Sequence, residues 1–388
     1  MPSENAIPSP AAAAARDDTV STAGLPPLEA FRLLLEQAPL NDASDLHLSV
    51  GRRAHWRAHG ELGPCDDRPW NEHDMYELAG HLLDAAHQAM FRETGSVDLG
   101  HTSPEGFRFR INFFRSLGMP ALVARHLPER FASLAELMLP PELKELSYLA
   151  SGLVLVTGVT GSGKSTTLAT LIHEINAHMA RHILTIEDPV EFVHKPLKSL
   201  VSHRELGTDT PDFALAVRAA MREDPDVILV GELRDTETMR AALTAAETGH
   251  LVFSTLHTAD AVGATERFVG AFPGEEQELA RHRFSLVMKA VVAQQLLPRA
   301  DRRGRIPAVE ILRGTPAVTN LVASGRTSQI YSAMESGTTL GMQTYDQSLA
   351  QLARDKLVAA DLVRPLARNP DGFDWLMKNG GGAAGGRK

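Results

Sequence analysis

Apolar and polar residues alternate with period two through much of the first third of the chain, then give way to continuous apolar runs. In DLHLSV, Leu46, Leu48 and Val50 interleave with polar neighbours, and HWRAHGEL extends the pattern toward a turn at Gly63 and Pro64. In FRFRINFF, Phe107, Phe109, Ile111 and Phe113 fall on one face while Arg108, Arg110 and Asn112 fall on the other. Such alternation predicts strands buried on one side only. Pro26 and Pro27 open a helical stripe of Leu28, Phe31, Leu34 and Leu35, and Asn71 precedes a helical pattern predicted to run through Met90. These elements predict a small α+β domain over residues 25–130, preceded by a disordered tail, 1–24, with prolines and acids where a signal peptide needs a basic and then an apolar region.

A proline-punctuated linker, 131–150, leads to a different pattern. LVLVT, HILTI, DVILV and LVFSTL are nearly continuous in hydrophobicity and are separated by helical stretches, which predicts parallel strands covered on both faces. The second domain is therefore α/β and spans 151–370, followed by a flexible Gly-rich tail, 371–388. Two cores suit a chain of 388 residues. The net charge of −9 argues against nonspecific binding to nucleic acid or anionic lipid through the whole surface. The single cysteine, Cys65, excludes an intramolecular disulfide framework and a multi-cysteine zinc site within one chain. No apolar run approaches the ~20 residues of a membrane span, and a reducing cytoplasm fits.

The strongest chemical signal is Gly158 to Ser165, GVTGSGKS, which matches G-x-x-x-x-G-K-[ST] between a predicted strand and a predicted helix. Gly158, Gly161 and Gly163 let backbone N–H groups turn toward phosphate oxygens, with Thr160, Ser162 and Thr166 in the same loop and helix start. Lys164 is placed to reach the β and γ phosphates and Ser165 to hold Mg²⁺. TIEDPVEF bunches Glu187, Asp188 and Glu191 after a predicted strand. Acids there either decorate a helix start or, given a nucleotide, sit beside Mg²⁺ and its waters. Glu232, at the end of the DVILV strand, reads either as a cap of the next helix or as the carboxylate that positions the attacking water. His250 and His257 flank the LVFSTL strand, which could deliver one or both imidazoles to the phosphate edge. Arg108, Arg110 and Arg125 read either as the polar face of a half-buried sheet or as anion contacts.

In this order these motifs resemble the secretion and pilus ATPases, most closely the type IV pilus retraction ATPases, from about Leu28 to Leu357. The matching stretches are SDLHLS, FRFRINFF, GVTGSGKST, LTIEDPVEFVH, REDPDVILVGELRD, AAETGHLVFSTLHT and GMQTYDQSL. The resemblance implies a PAS-like N-terminal domain, a RecA-like ATPase domain and a hexameric ring in the cytoplasm, at the inner-membrane base of a pilus machine. It implies ATP and Mg²⁺ as ligands, Glu232 as catalytic glutamate, Glu187, Asp188 and Glu191 as an acidic box, and His250 and His257 as a histidine box. Arg108, Arg110 and Arg125 become candidate phosphate contacts, with Arg204, Arg218 and Arg222 as further basic candidates. Implied partners are an inner-membrane pilus platform protein and, for an accessory form, a second retraction ATPase; no nucleic acid is expected. Extension and type II secretion relatives commonly carry a four-cysteine element that this chain cannot build, which favours retraction. In PAVTNLVAS, where retraction motors resemble A-I-R-N-L-I-R, Thr319 and Ala323 replace two arginines. An accessory retraction ATPase and a secretion or DNA-transfer ATPase on the same core are the alternatives.

Overall fold

Strand alternation in the first third builds a six-stranded antiparallel sheet, and the continuous apolar runs build a seven-stranded, mainly parallel one. The computed structural model describes residues 19–127, 130–302 and 304–379. The chain divides into two compact units between Pro128 and Glu129.

The first unit runs α1 (Pro27–Leu40), β1 (Ala43–Ser49), β2 (Arg53–Ala58), β3 (Glu61–Pro69), α2 (Glu72–Leu82), α3 (Ala85–Thr94), β4 (Ser96–Thr102), β5 (Arg108–Ser116) and β6 (Met119–His126). Its sheet order is β3-β2-β1-β6-β5-β4, and every pair is antiparallel. Phe109, Ile111 and Phe113 of β5 are buried against Phe31, Leu34 and Leu35 of α1, while the alternate positions face outward. The predicted unbroken helix from 71 to 90 is two helices. Leu83 turns extended, and the Asp84 side chain accepts the His87 N–H at 2.8 Å, starting α3 afresh. Asp at a helix start outcompetes Asp in a helix interior because its carboxylate satisfies an orphan N–H. The predicted tail also ends earlier than 24. Val20 N–H donates to the carbonyl of buried Cys65 at 2.8 Å, and Thr22 is fully buried, its N–H donating to Asp67. Residues 1–18 lie outside the described residues.

The second unit runs β7 (Gly152–Thr157), α4 (Lys164–His178), β8 (His182–Glu187), β9 (Leu200–Glu205), α5 (Phe213–Ala220), β10 (Val227–Val230), α6 (Thr236–Glu247), β11 (Leu251–Leu256), α7 (Ala261–Gly270), α8 (Gln277–Val287), β12 (Met288–Pro298), β13 (Arg305–Arg313), α9 (Pro316–Ala323), α10 (Ile330–Ser336), α11 (Tyr345–Arg354), α12 (Ala360–Val363) and α13 (Pro370–Asn379). Strand order is β13-β12-β7-β11-β10-β8-β9, parallel throughout except for β13 against β12. Every residue of β7, β10 and β11 is buried, with one apolar cluster on each face of the sheet. The parallel arrangement brings the carboxyl ends of β7, β8, β10 and β11 to one edge, where ligand-binding loops of open α/β sheets collect.

Two predicted boundaries shift here. The linker 131–150 contains a 3₁₀ helix, Pro141–Tyr148, and Leu139, Leu143 and Leu146 join the core beside α4, so most of it belongs to the second unit. The predicted tail beyond 370 begins as helix α13, whose Phe373 is buried against α11; residues 380–388 lie outside the described residues. Among the described residues no helix is long and apolar enough to cross a membrane.

Candidate active site

Residues 158–163 form the loop from β7 into α4, and its shape depends on glycine at two positions. A Cβ on Gly158, at φ +147°, would stand 2.3 Å from the Gln294 carbonyl oxygen and 2.5 Å from Ser162 Oγ. One on Gly163, at φ +92°, would stand 2.7 Å from Gln294 Nε2. Gln294, buried in β12, ties the loop down: its Nε2 donates to the Ser162 carbonyl at 2.7 Å and its Oε1 accepts from Thr167 Oγ1 at 2.7 Å. Helices α5, α6 and α7 are each capped by an aspartate, Asp212, Asp235 and Asp260. Helix α4 instead starts at Gly163 with no side-chain cap, leaving its first N–H groups for an anion.

Lys164 is buried, and its Nζ donates to the Gly158 and Val159 carbonyls at 2.9 and 3.1 Å. Burial pulls its pKa below the usual lysine range, against the upward pull of Glu232 and Glu191. Both carboxylates are therefore electrostatic neighbours of the phosphate-loop lysine. Thr160, Gly161 and Ser165 are exposed and Thr166 half-buried, while Ser162 Oγ is buried without a protein hydrogen-bond partner. The glycine cradle, the uncapped helix start and this hydroxyl fit a polyphosphate. A cavity of about 280 Å³ begins at Gly163 and Thr166 and runs between Leu137, Met138, Leu296 and Arg299, with room for a nucleoside.

At the same edge, Glu232 follows β10 and is largely buried; its carboxylate lies 3.4 Å from His257 Nε2 and pairs with Arg234. Glu232 does not cap α6, a place taken by Asp235, which accepts from Thr238 N–H at 2.8 Å. Glu187 ends β8, and burial raises its pKa to about 7, against hydrogen bonds from Thr185 and the Glu191 N–H. Asp188 is exposed and Glu191 half-buried in the loop that follows. Among the described residues no three His, Cys, Asp or Glu side chains converge as a metal centre. Mg²⁺ commonly takes one or two protein oxygens beside phosphate oxygens and waters, so Ser165 with one acid of this loop suits its chemistry.

Of the one or both histidines that β11 could deliver to the phosphate edge, His257 stands at that edge and His250 at the opposite end of the strand. His250 precedes β11, whereas His257 follows it, and six strand residues at roughly 3.3 Å each separate the two ends. His250 instead closes α6, its Nδ1 2.9 Å from the Ala245 carbonyl.

The first unit's arginines lie on its polar sheet face. Arg108 Nη1 donates to Thr102 Oγ1 at 3.2 Å, Arg110 Nε is 3.4 Å from Asp98, and Arg125 Nε donates to Asp45 Oδ1 at 2.8 Å. Burial pushes the Asp45 pKa up, but bonds from Ser44 and Arg125 outweigh it and hold the carboxyl below its usual range. In the second unit Arg204 pairs with Glu223 at 3.0 Å, and Arg222 donates to the Arg218 carbonyl at 3.3 Å. Sequence reasoning missed Gln294, Arg234, Thr185 and His203. Gln294 was the most visible of them, a polar side chain in the apolar run of β12.

A phosphate loop on a mainly parallel α/β sheet, with a largely buried carboxylate at the tip of another strand of the same sheet, defines a P-loop ATPase. The family model described as Type II/IV secretion system protein matches residues 93–360. The chain is 42% identical over 340 residues to the type IV pilus retraction ATPase PilT of Pseudomonas aeruginosa, covering 88% of this chain and 98% of that protein. It is 43% identical over 319 residues to a twitching motility protein of Neisseria gonorrhoeae, covering 82% and 85%. The crystal structure of the pilus retraction motor PilT with bound ADP superposes with a TM-score of 0.80 at 39% identity, covering 89% of this chain and 98% of that one. The chain belongs to the type II/IV secretion system protein family.

Proposed function

We propose that this chain is a motor ATPase that hydrolyses ATP to drive type IV pilus retraction. The observation that carries the reading is the convergence at one sheet edge of the glycine loop, buried Lys164 and the Glu232–His257 pair. Lys164, with the loop and α4 N–H groups, binds the phosphates. Glu232 orients the attacking water and accepts its proton. His257 holds that carboxylate in place and lies where it can respond to the γ-phosphate. Mg²⁺, held by Ser165 with Asp188 or Glu191, would neutralise phosphate charge. The working form is a homohexameric ring in the cytoplasm at the inner-membrane face, acting on a pilus platform protein. Arg108, Arg110 and Arg125 supply phosphate contacts from one chain of the ring to another.

The test is ATP turnover by the purified chain together with pilus retraction in a strain lacking its gene. Turnover with restored retraction supports the reading; turnover with secretion or DNA-transfer defects alone moves it to the alternative machine. One observation favours an accessory form: Thr319 and Ala323 stand half-exposed on α9 where retraction motors resemble arginine. On that reading the chain hydrolyses ATP yet retracts pili poorly without a second retraction ATPase. Thr319→Arg plus Ala323→Arg should then improve retraction at an unchanged ATPase rate. Strong retraction by the unmodified chain alone removes the accessory form.

A further inference from the structure

Glu187 is held by a hydrogen-bond chain that begins on the neighbouring strand. Strands β8 and β9 run in parallel register, with Thr185 opposite His203 and Glu187 opposite Glu205. Residues two apart on a strand share a face, so Thr185 and Glu187 project to the same side. The His194 backbone N–H lies 3.1 Å from His203 Nε2. A backbone N–H only donates, so Nε2 accepts and the ring proton sits on Nδ1. Nδ1 is 2.8 Å from Thr185 Oγ1 and donates to it, leaving the Thr185 hydroxyl proton to point elsewhere.

The acceptor at hand is the Glu187 carboxylate, whose Oε1 is 4.0 Å from His203 Nδ1 and whose Oε2 takes the Glu191 N–H at 3.4 Å. Thr185 is fully buried, and the His203 ring lies nearly parallel to that of His194, 14° apart with centroids 6.0 Å apart. The relay is thus enclosed at Thr185 and flanked by the His194 ring at His203. Beyond Glu187 a cavity of about 30 Å³ is bounded by Ser165, Gly231 and Thr255, enough for one water. Glu187 therefore faces the first turn of α4 across a water-sized space.

We propose that His203 is a positioning residue for ATP hydrolysis: through Thr185 it fixes the Glu187 carboxylate opposite Ser165 at the phosphate edge. This rests on the ATPase reading and adds a group that no motif contains. His203 donates through one ring nitrogen and accepts through the other, so it transmits orientation only in its neutral form with the proton on Nδ1. Loss of either hydrogen bond frees Thr185 to turn its hydroxyl toward other acceptors, and Glu187 loses its fixed direction.

The test uses the full chain with His203→Phe, His203→Gln, Thr185→Val, Thr185→Ser and the His203→Phe/Thr185→Val double variant. Steady-state ATP turnover, titration with a fluorescent ADP analogue and the melting temperature are measured for each. His203→Phe should lower kcat between about 10- and 100-fold, the scale of a small misplacement beside the reacting atoms, with KM and ADP affinity within about twofold. His203→Gln, which keeps one donor and one acceptor, should recover most of the rate. Thr185→Val should match His203→Phe, Thr185→Ser should stay near wild type, and the double variant should be no worse than either single one. Equal rates in the Phe and Gln variants, wild-type kcat in Thr185→Val, or additive losses would overturn the inference. Should His203→Phe not fold, the Thr185 pair decides alone. Absence of turnover in the wild-type chain would instead overturn the ATPase reading and the inference with it, whereas a failure confined to the variants leaves that reading standing.

Discussion

The two sheets place function differently because they are covered differently. In the first unit β5 alternates, with Phe109, Ile111 and Phe113 inward and Arg108 and Arg110 outward. In the second unit β7, β10 and β11 are buried at every position, so no side chain along them is free for chemistry. The candidate site residues there lie at strand ends, where the backbone leaves the sheet: Lys164 after β7, Glu187 at the end of β8, Glu232 after β10 and His257 after β11. A one-sided sheet can carry functional groups along a whole face at little cost in stability. A two-sided sheet concentrates them at an edge and surrounds them with low-dielectric core, which is why Lys164 and Glu187 have shifted pKa values.

The sharpest way to break this comparison is at the parallel edge. Glu232→Gln should retain ADP binding and slow ATP turnover by roughly 10²-fold or more, whereas Lys164→Ala should abolish binding in the same titration. Near-normal turnover in Glu232→Gln would shift the water-positioning role to Glu187. A smaller effect is expected from the first unit. Arg108→Ala, Arg110→Ala and Arg125→Ala combined should cut turnover by about tenfold or more if they stabilise phosphate charge. Arg110→Ala alone should change unfolding free energy by no more than about 0.5 kcal/mol, against about 2–5 kcal/mol for Leu155→Ala in β7. Mixing the triple variant with Glu232→Gln chains should restore part of the rate if the arginines act across chains. No recovery in rings shown to be mixed would confine those arginines to the polar face of their own sheet.

The last effect concerns pH. Burial, reinforced by His203 and His173, lowers the His194 pKa to about 3. Because the folded value lies below the unfolded one, the unfolded chain binds the extra proton. The neutral form's contribution is complete above the unfolded pKa of about 6.5 and is lost as pH falls from there toward 3. Chemical denaturation between pH 6.5 and 5 should show stability falling with acid, His194 contributing up to about 1 kcal/mol per pH unit. His194→Gln should flatten that slope.

How much of this was legible depended on whether a feature is local in sequence. The phosphate loop was readable because its glycines, lysine and serine are adjacent and sit between a strand pattern and a helix pattern. Glu232 was readable as a polar break after an apolar run. The relay through Thr185 and His203 was not, because strand register brings together residues 18 positions apart in a way that no periodicity encodes. Whether one or both of His250 and His257 reach the phosphate edge stayed open in the sequence, because only the length of β11 separates the two positions. The break at Asp84 was hidden by an apolar pattern that continues through it, and α13 was hidden by the glycines that follow. The order of residues 19–24 depends on bonds to Cys65 and Asp67, far along the chain.

Cys65 carries a practical consequence. It is the chain's one thiol, 2% exposed, and burial pushes its pKa well up, so the thiolate that alkylating dyes consume is scarce at neutral pH. The native chain is therefore already a silent background for site-specific labelling, without a cysteine-free variant that would disturb the first unit's core. A maleimide fluorophore on Thr319→Cys would attach at α9 alone, and its signal through an ATP cycle would follow that helix from stroke to stroke.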